Sequence, residues 1–292
     1  GAPIGPSVGF VDGMRVSEDV KETWDSQIWE WLGRGCGVPA LKTSLKNNIN
    51  RYFTHKRLWL NDPDCVLVRD TNTDLTEREV KMLVTVIGLT GGMLFLSDDL
   101  TALNPERLAW LETIMPPTPL TGGPMDLFET PLPDKFEIRQ GDRRVLAFLN
   151  WSEKGKTFYL DDIPDLAESV LFDFWKQKAH VAKKLRLAPH SATALMVSPR
   201  LDIPTVAGTT FHLAALADGR IQADYESEKQ ILTITGRDLA KKDGRLWIAK
   251  PLSLKSYQIL SEENVEEIIP WEQGLCLRLH APAPWMVQVM FQ

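Results

Sequence analysis

The hydrophobic period of this sequence changes once, near residue 116, and that change limits the folds open to it. Before it, short continuous apolar runs alternate with stretches of helical period. Val8 to Val16 is the first run, and Val38 to Phe53 follows with Leu41, Leu45, Ile49 and Phe53 at four-residue spacing, one face of a helix. Trp59-Leu60 is a short strand candidate. Cys65-Val-Leu-Val68 is β-branched and continuous, as expected of a strand covered on both faces. Thr76-Glu-Arg-Glu79 is a capping box with Leu75 and Val80 as its hydrophobic staple, and Gly91-Gly92 ends that helix. Met93 to Leu96 is another buried strand. Asn104-Pro105 then places a cap and a first-turn proline ahead of Leu108, Leu111 and Met115.

Strand followed by helix three times over implies a parallel sheet with helices outside it. Three units leave unpaired strand edges and cannot close, whereas a (β/α)₈ barrel needs eight. Residues 1–119 are therefore expected to be the C-terminal three βα units of a TIM barrel. After the Pro/Gly-rich linker Pro116 to Pro124 the period becomes two. Arg144 to Leu149, Lys156 to Leu160, Val170 to Phe174, Ser191 to Val197, Gln230 to Thr235, Arg245 to Ala249, Leu275 to Leu279 and Trp285 to Phe291 are strand candidates. Gln140-Gly141-Asp142 and Lys242-Asp243-Gly244 are expected turns. This is antiparallel β-sandwich material, divided near Pro199 to Pro204 into 120–200 and 201–292.

The bulk properties exclude several functions. Lys and Arg number 33 against 39 Asp and Glu, so the formal charge of −6 offers no footprint for nucleic acid. No apolar run is long enough to cross a bilayer. Cys36, Cys65 and Cys276 are odd in number and far apart, which suits reduced thiols in a cytoplasmic protein. His55, His180, His190, His212 and His280 lack metal-ligand spacing, so no metal is expected, and with no P-loop or dinucleotide fingerprint no organic cofactor is expected either. Lys183-Lys184-Leu185-Arg186 fits a solvated strand face. Gly1-Ala-Pro-Ile-Gly-Pro has neither an initiator Met nor signal-peptide character, and suggests a chain opened within a loop.

Glu18, Asp19 and Trp24 fall just beyond the C-terminal end of the first strand, the face where barrel enzymes keep their sites. A carboxyl there can donate a proton to a glycosidic oxygen, and Arg15 can bind hydroxyls or tune the acid. Trp24, Trp29 and Trp31 offer flat faces to a sugar ring. The competing reading makes Arg15 and Asp19 a surface ion pair and places the tryptophans in the core. Asp62 and Asp64 supply either a second carboxylate or, as Asn61-Asp62-Pro63 favours, turn hydrogen bonds. Asp98 and Asp99 at the next strand end suit a rim contact or a structural cap.

Arg15-Val-Ser-Glu-Asp19 followed by Trp24 resembles the Arg-x-x-x-Asp plus Trp signature of α-galactosidases of glycoside hydrolase families 27 and 36, the melibiases. Leu60-Asn-Asp-Pro-Asp64, Leu75-Thr-x-x-Glu79 and Gly91 to Leu100 resemble the closing barrel segment of the same families, in order. Gly1 to Pro6 resembles the loop after the fifth barrel strand in family 36. The resemblance implies retaining hydrolysis of terminal α-galactosides, with Asp19 as acid/base and Arg15 and Trp24 as sugar ligands. The nucleophilic Asp of the families would lie upstream of Gly1. It also implies an N-terminal remainder of the same protein as partner, without which exposed strand edges and self-association are expected. Two other readings stay open: a related α-glycosidase or transferase of the same fold, and a carbohydrate-binding or structural fragment without turnover.

Overall fold

The computed structural model describes residues 4–26, 39–130, 132–180 and 183–292. Trp29, Trp31, Cys36 and the opening Gly1-Ala-Pro lie outside the described residues. By compactness the chain divides into two units. One comprises Gly1–Ile138, Ala147–Thr157 and Arg186–Thr193; the other comprises Arg139–Leu146, Phe158–Leu185 and Ala194–Gln292.

After a helical turn, α1 (Ile4–Ser7), the first unit is built from three successive strand-helix units. Strand β1 (Gly13–Arg15) precedes α2 (Leu41–Asn50). Strands β2 (Leu60–Asp62) and β3 (Cys65–Val66), separated by Pro63 and Asp64, precede α3 (Glu77–Thr90). Strand β4 (Phe95–Leu96) precedes α4 (Pro105–Glu112). β1 pairs parallel to β2 and β3 pairs parallel to β4, while Met93 N donates to Asn61 O at 2.9 Å. The parallel βα pattern is that of a barrel segment.

Local chemistry explains the helix ends. Thr76 N donates to Glu79 Oε2 at 2.7 Å and Glu79 N to Thr76 Oγ1 at 3.4 Å, closing the capping box of α3. Gly91 ends α3 at φ +68°. Gly92 follows at φ +101°, where a Cβ would stand 2.5 Å from Asn61 O. The carbonyl of this Asn61 is the one that takes the Met93 N–H, so only glycine lets β4 start there. Asn104 caps α4 through Arg107 N at 2.9 Å, with Pro105 in the first turn. The four-residue stripe of α2 holds for Leu41, Leu45 and Ile49, all buried, but not for Phe53, which is 49% exposed. The helix stops at Asn50 and a 3₁₀ turn, Tyr52–Thr54, rotates Phe53 off the buried face.

Antiparallel strands follow. They are β5 (Gly123–Pro124), β6 (Lys135–Gln140), β7 (Arg143–Asn150), β8 (Lys156–Tyr159), β9 (Ser169–Asp173), β10 (Lys178–Ala179), β11 (Lys184–Leu187) and β12 (Ser191–Pro199). Six of them form a sheet in the order β10-β9-β12-β7-β6-β5, with β8 and β11 paired separately. Gly141, at φ +64°, turns β6 into β7 as the sequence indicated.

The remaining strands are β13 (Thr205–Thr209), β14 (Ile221–Glu226), β15 (Ile231–Gly236), β16 (Asp243–Ala249), β17 (Tyr257–Ile259), β18 (Val265–Trp271), β19 (Gly274–His280) and β20 (Trp285–Phe291). They make two four-stranded sheets, β13-β16-β19-β18 and β14-β15-β20-β17. Phe172, Phe211 and Phe291 are fully buried in this unit. Truncating such a residue to Ala costs about 3–5 kcal/mol. Lys242-Asp243-Gly244 is not the turn its composition suggested, because Asp243 and Gly244 open β16. Gly244 is there for packing: a Cβ would meet the Phe211 ring at 2.7 Å. Among the described residues no helix is long and apolar enough to cross a membrane.

Candidate active site

Asp19 stands on the loop leaving the C-terminal end of β1, and its side chain is 69% exposed. Arg15, the last residue of β1, reaches three carboxylates. Its NH1 lies 3.1 Å from Asp19 Oδ1, its NH2 2.8 Å from Asp64 Oδ1 and its Nε 3.4 Å from Asp62 Oδ2. Burial alone would lower the Arg15 pKa, but Asp64, Asp62 and Asp19 outweigh it and raise it above the ordinary value. The cation is therefore permanent, and it holds the Asp19 carboxyl in one place while leaving it open to solvent.

The loop itself is fastened along its length. Val16 N donates to Asp62 O at 3.0 Å, and Val20 N donates to Asp64 Oδ2 at 2.7 Å. Arg51 donates to Val16 O, and Asn47 Nδ2 to Ser17 Oγ at 3.4 Å. Further on, Asp74 N donates to Glu22 O at 2.9 Å, Leu41 N to Thr23 O at 2.9 Å and Lys42 N to Trp24 O at 3.0 Å. The ties thus come from α2 and its end, from the β2–β3 segment and from Asp74. A carboxyl on such a loop is pre-placed rather than ordered on ligand binding.

Asp62 and Asp64 do make the local turn bond, Asp64 N to Asp62 Oδ1 at 2.8 Å. Their other contacts were not legible from composition: they anchor Arg15 and the Asp19 loop. Each oxygen of the two carboxylates has a partner: Asp62 takes Asp64 N and Arg15 Nε, and Asp64 takes Arg15 NH2 and Val20 N. Asp98 is structural. Its Oδ2 accepts from Val68 N at 2.5 Å and Arg69 N at 3.0 Å, closing the end of β3. Asp99 binds its own turn through Thr101 N and Oγ1.

Trp24 is buried, 8% exposed, with one ring face stacked on His190 at 4.4 Å between centroids and 19° between planes. Trp151 lies 6.3 Å away. His190 bonds through Nδ1 to Glu79 Oε1 at 2.9 Å and through Nε2 to Glu153 Oε1 at 2.8 Å. Sequence reasoning missed this support, since His190 carries no local motif. Among the described residues no group of three or more His, Cys, Asp or Glu could hold a metal ion.

No protein-family model matches the chain. The structure resembles α-galactosidase I from Mortierella vinacea, with a TM-score of 0.50 at 15% identity, over 68% of this chain and 55% of that one. The fold is shared with an α-galactosidase. An α-galactosidase from Saccharomyces cerevisiae matches with a TM-score of 0.47 and 12% identity, over 65% of this chain and 60% of that one. A family 27 β-L-arabinopyranosidase from Geobacillus stearothermophilus matches at 0.44 and 16%, over 68% and 47%. The chain spans about half the length of the solved structures it matches.

Proposed function

We propose that this chain is the closing part of a retaining glycoside hydrolase for terminal α-galactosides, with Asp19 as its acid/base. The observation that carries the reading is the placement of Asp19. It lies beyond the C-terminal end of β1, the strand of the first of three strand-helix units, open to solvent, on a loop fixed by Arg15 and Asp64. Asp19 donates its proton to the leaving glycosidic oxygen as the bond to the anomeric carbon breaks. It then takes a proton from the water that cleaves the glycosyl-enzyme ester.

The nucleophile of that ester must stand about 5–5.5 Å from Asp19. The resemblance to melibiases implies that it is an aspartate on an N-terminal segment of the same protein, the partner that completes the barrel. Arg15 holds the acid and hydrogen-bonds sugar hydroxyls. Trp24, held on one face by His190, is the second proposed sugar ligand, although it is only 8% exposed. The chemistry calls on no cofactor, and the free thiols of Cys65 and Cys276 fit a cytoplasmic protein. Domain limits near 119 and 200 belong to the same proposal.

The test is the intact protein with Asp19→Ala, assayed on galactosides of poor and good leaving group. Loss of an acid/base lowers the rate about 10²–10⁴-fold where the leaving group needs a proton. An activated aryl galactoside should lose much less, and added azide should restore turnover. Unchanged hydrolysis of the poor-leaving-group substrate removes Asp19 from the role. A panel of aryl α-glycosides decides between galactoside and another α-glycoside.

A further inference from the structure

The second unit carries a cleft of about 680 Å³ where three loops meet at one end of β16. The loops are the β12–β13 connection, the segment after Ala249 and the Trp271-to-Gly274 turn between β18 and β19. The turn is drawn tight onto β16. Ala249 pairs with Gly274, Lys250 N donates to Gln273 O at 3.0 Å, and a Cβ on Gly274 would stand 2.0 Å from Ile248 O. That close approach places Trp271 in the cleft wall, braced against the buried cluster of Val170, Ala207 and Ala249.

The lining mixes one aromatic ring with charge of both signs. Arg200 and Lys250 face the cleft with Asp202 and Glu272, two cations against two anions. Leu252 at the rim is 97% exposed. A balanced set of charges favours a neutral, hydrogen-bonding ligand over a phosphate or a carboxylate, because any anion would meet as many acids as bases. A half-buried tryptophan beside donors and acceptors suits a ligand with one apolar face and a polar edge, which is the surface of a pyranose ring. A second cavity of about 480 Å³ is also lined by Arg200, Val170 and Gln273. The two adjoin through these residues, giving room for more than one ring.

We propose that this cleft is an auxiliary binding site for a neutral oligosaccharide, with Trp271 as stacking platform and Arg200 as hydroxyl donor. The inference goes beyond the proposed activity and stands on the cleft alone, whether or not Asp19 cuts sugar. As a binding site it would hold a glycan on the enzyme without reacting with it.

Raffinose and maltotriose are titrated by calorimetry into the whole chain and into Trp271→Ala, Arg200→Ala and Asp19→Ala. The expected result is saturable binding of at least one sugar. Removing an aromatic contact of this kind should weaken it about tenfold. Arg200→Ala, an exposed change that leaves the core intact, should weaken it measurably, and Asp19→Ala should leave it unchanged. The proposal is overturned if neither sugar binds saturably, if both cleft variants bind as the wild type does, or if Asp19→Ala abolishes the binding.

Discussion

Replacing Asp64 by Asn isolates the electrostatic anchor of the Asp19 loop. The Asp64 side chain is only 8% exposed, and its two oxygens serve Arg15 at 2.8 Å and Val20 N–H at 2.7 Å. Its backbone is left-handed at φ +73°, a conformation that Asn adopts as readily as Asp, so the variant adds no strain. An amide has one acceptor oxygen in place of two, so either Arg15 or Val20 N–H loses its partner. A hydrogen bond to a charged group contributes about 1.5–3 kcal/mol. Arg15 keeps Asp62 and Asp19 and is 38% exposed, which places the expected loss near the lower end, about 1.5–2 kcal/mol. Asp64→Ala removes both contacts, about 3–4 kcal/mol, and adds left-handed strain of about 1–2 kcal/mol, so it should cost about 4–6 kcal/mol in all. Urea unfolding followed by far-UV circular dichroism measures both. An Asp64→Asn stability within about 0.5 kcal/mol of wild type, the range of ordinary surface changes, would refute the anchor argument.

Four further outcomes follow from the geometry. Thr76→Ala removes half of the α3 capping box and should destabilise by about 1 kcal/mol in the same assay; a neutral result would mean that water caps the helix equally well. Gly92→Ala forces a Cβ against Asn61 O at a φ of +101° and should cost more than about 2 kcal/mol, read as a drop in melting temperature. The pKa of buried His55 is lowered, by burial first and by Lys56 second. Below its ordinary value of 6.5 the unfolded chain therefore binds a proton that the folded chain does not yet take, and stability falls as pH drops from there to the folded pKa. Replacing His55 with Gln should flatten that part of the stability–pH curve. Burial raises the Cys276 thiol to about 11, so a thiol reagent at pH 8 should modify it only after unfolding, as peptide mapping would show.

The parts legible in the sequence were those with short-range causes. Thr76 with Glu79, Asn104 with Pro105 and Gly91 all work through bonds made within one helical turn, so their spacing alone places the helix ends. β7, β12 and β20 were visible because buried strands must be apolar. β18 was not: Val265-Glu-Glu-Ile-Ile-Pro-Trp271 is an edge strand, where glutamates and a proline are tolerated because no strand of the described residues pairs with its outer side. The candidate site divides in the same way. Arg15 and Asp19 sit one turn of sequence apart and announce themselves. Asp64 was hidden behind the turn propensity of Asn61-Asp62-Pro63. His190 was invisible because Trp24 and Glu79 reach it only through the fold.

Glu79 serves two masters with one carboxylate. One oxygen caps the start of α3 and the other grips the imidazole that lies against Trp24. An α-helix turns about 100° per residue, so inserting or deleting a single residue between Thr76 and Glu79 would swing that carboxylate to another side of the helix. Both attachments would be severed together. The spacing of this short motif is therefore far less free to drift than the identity of the residues inside it.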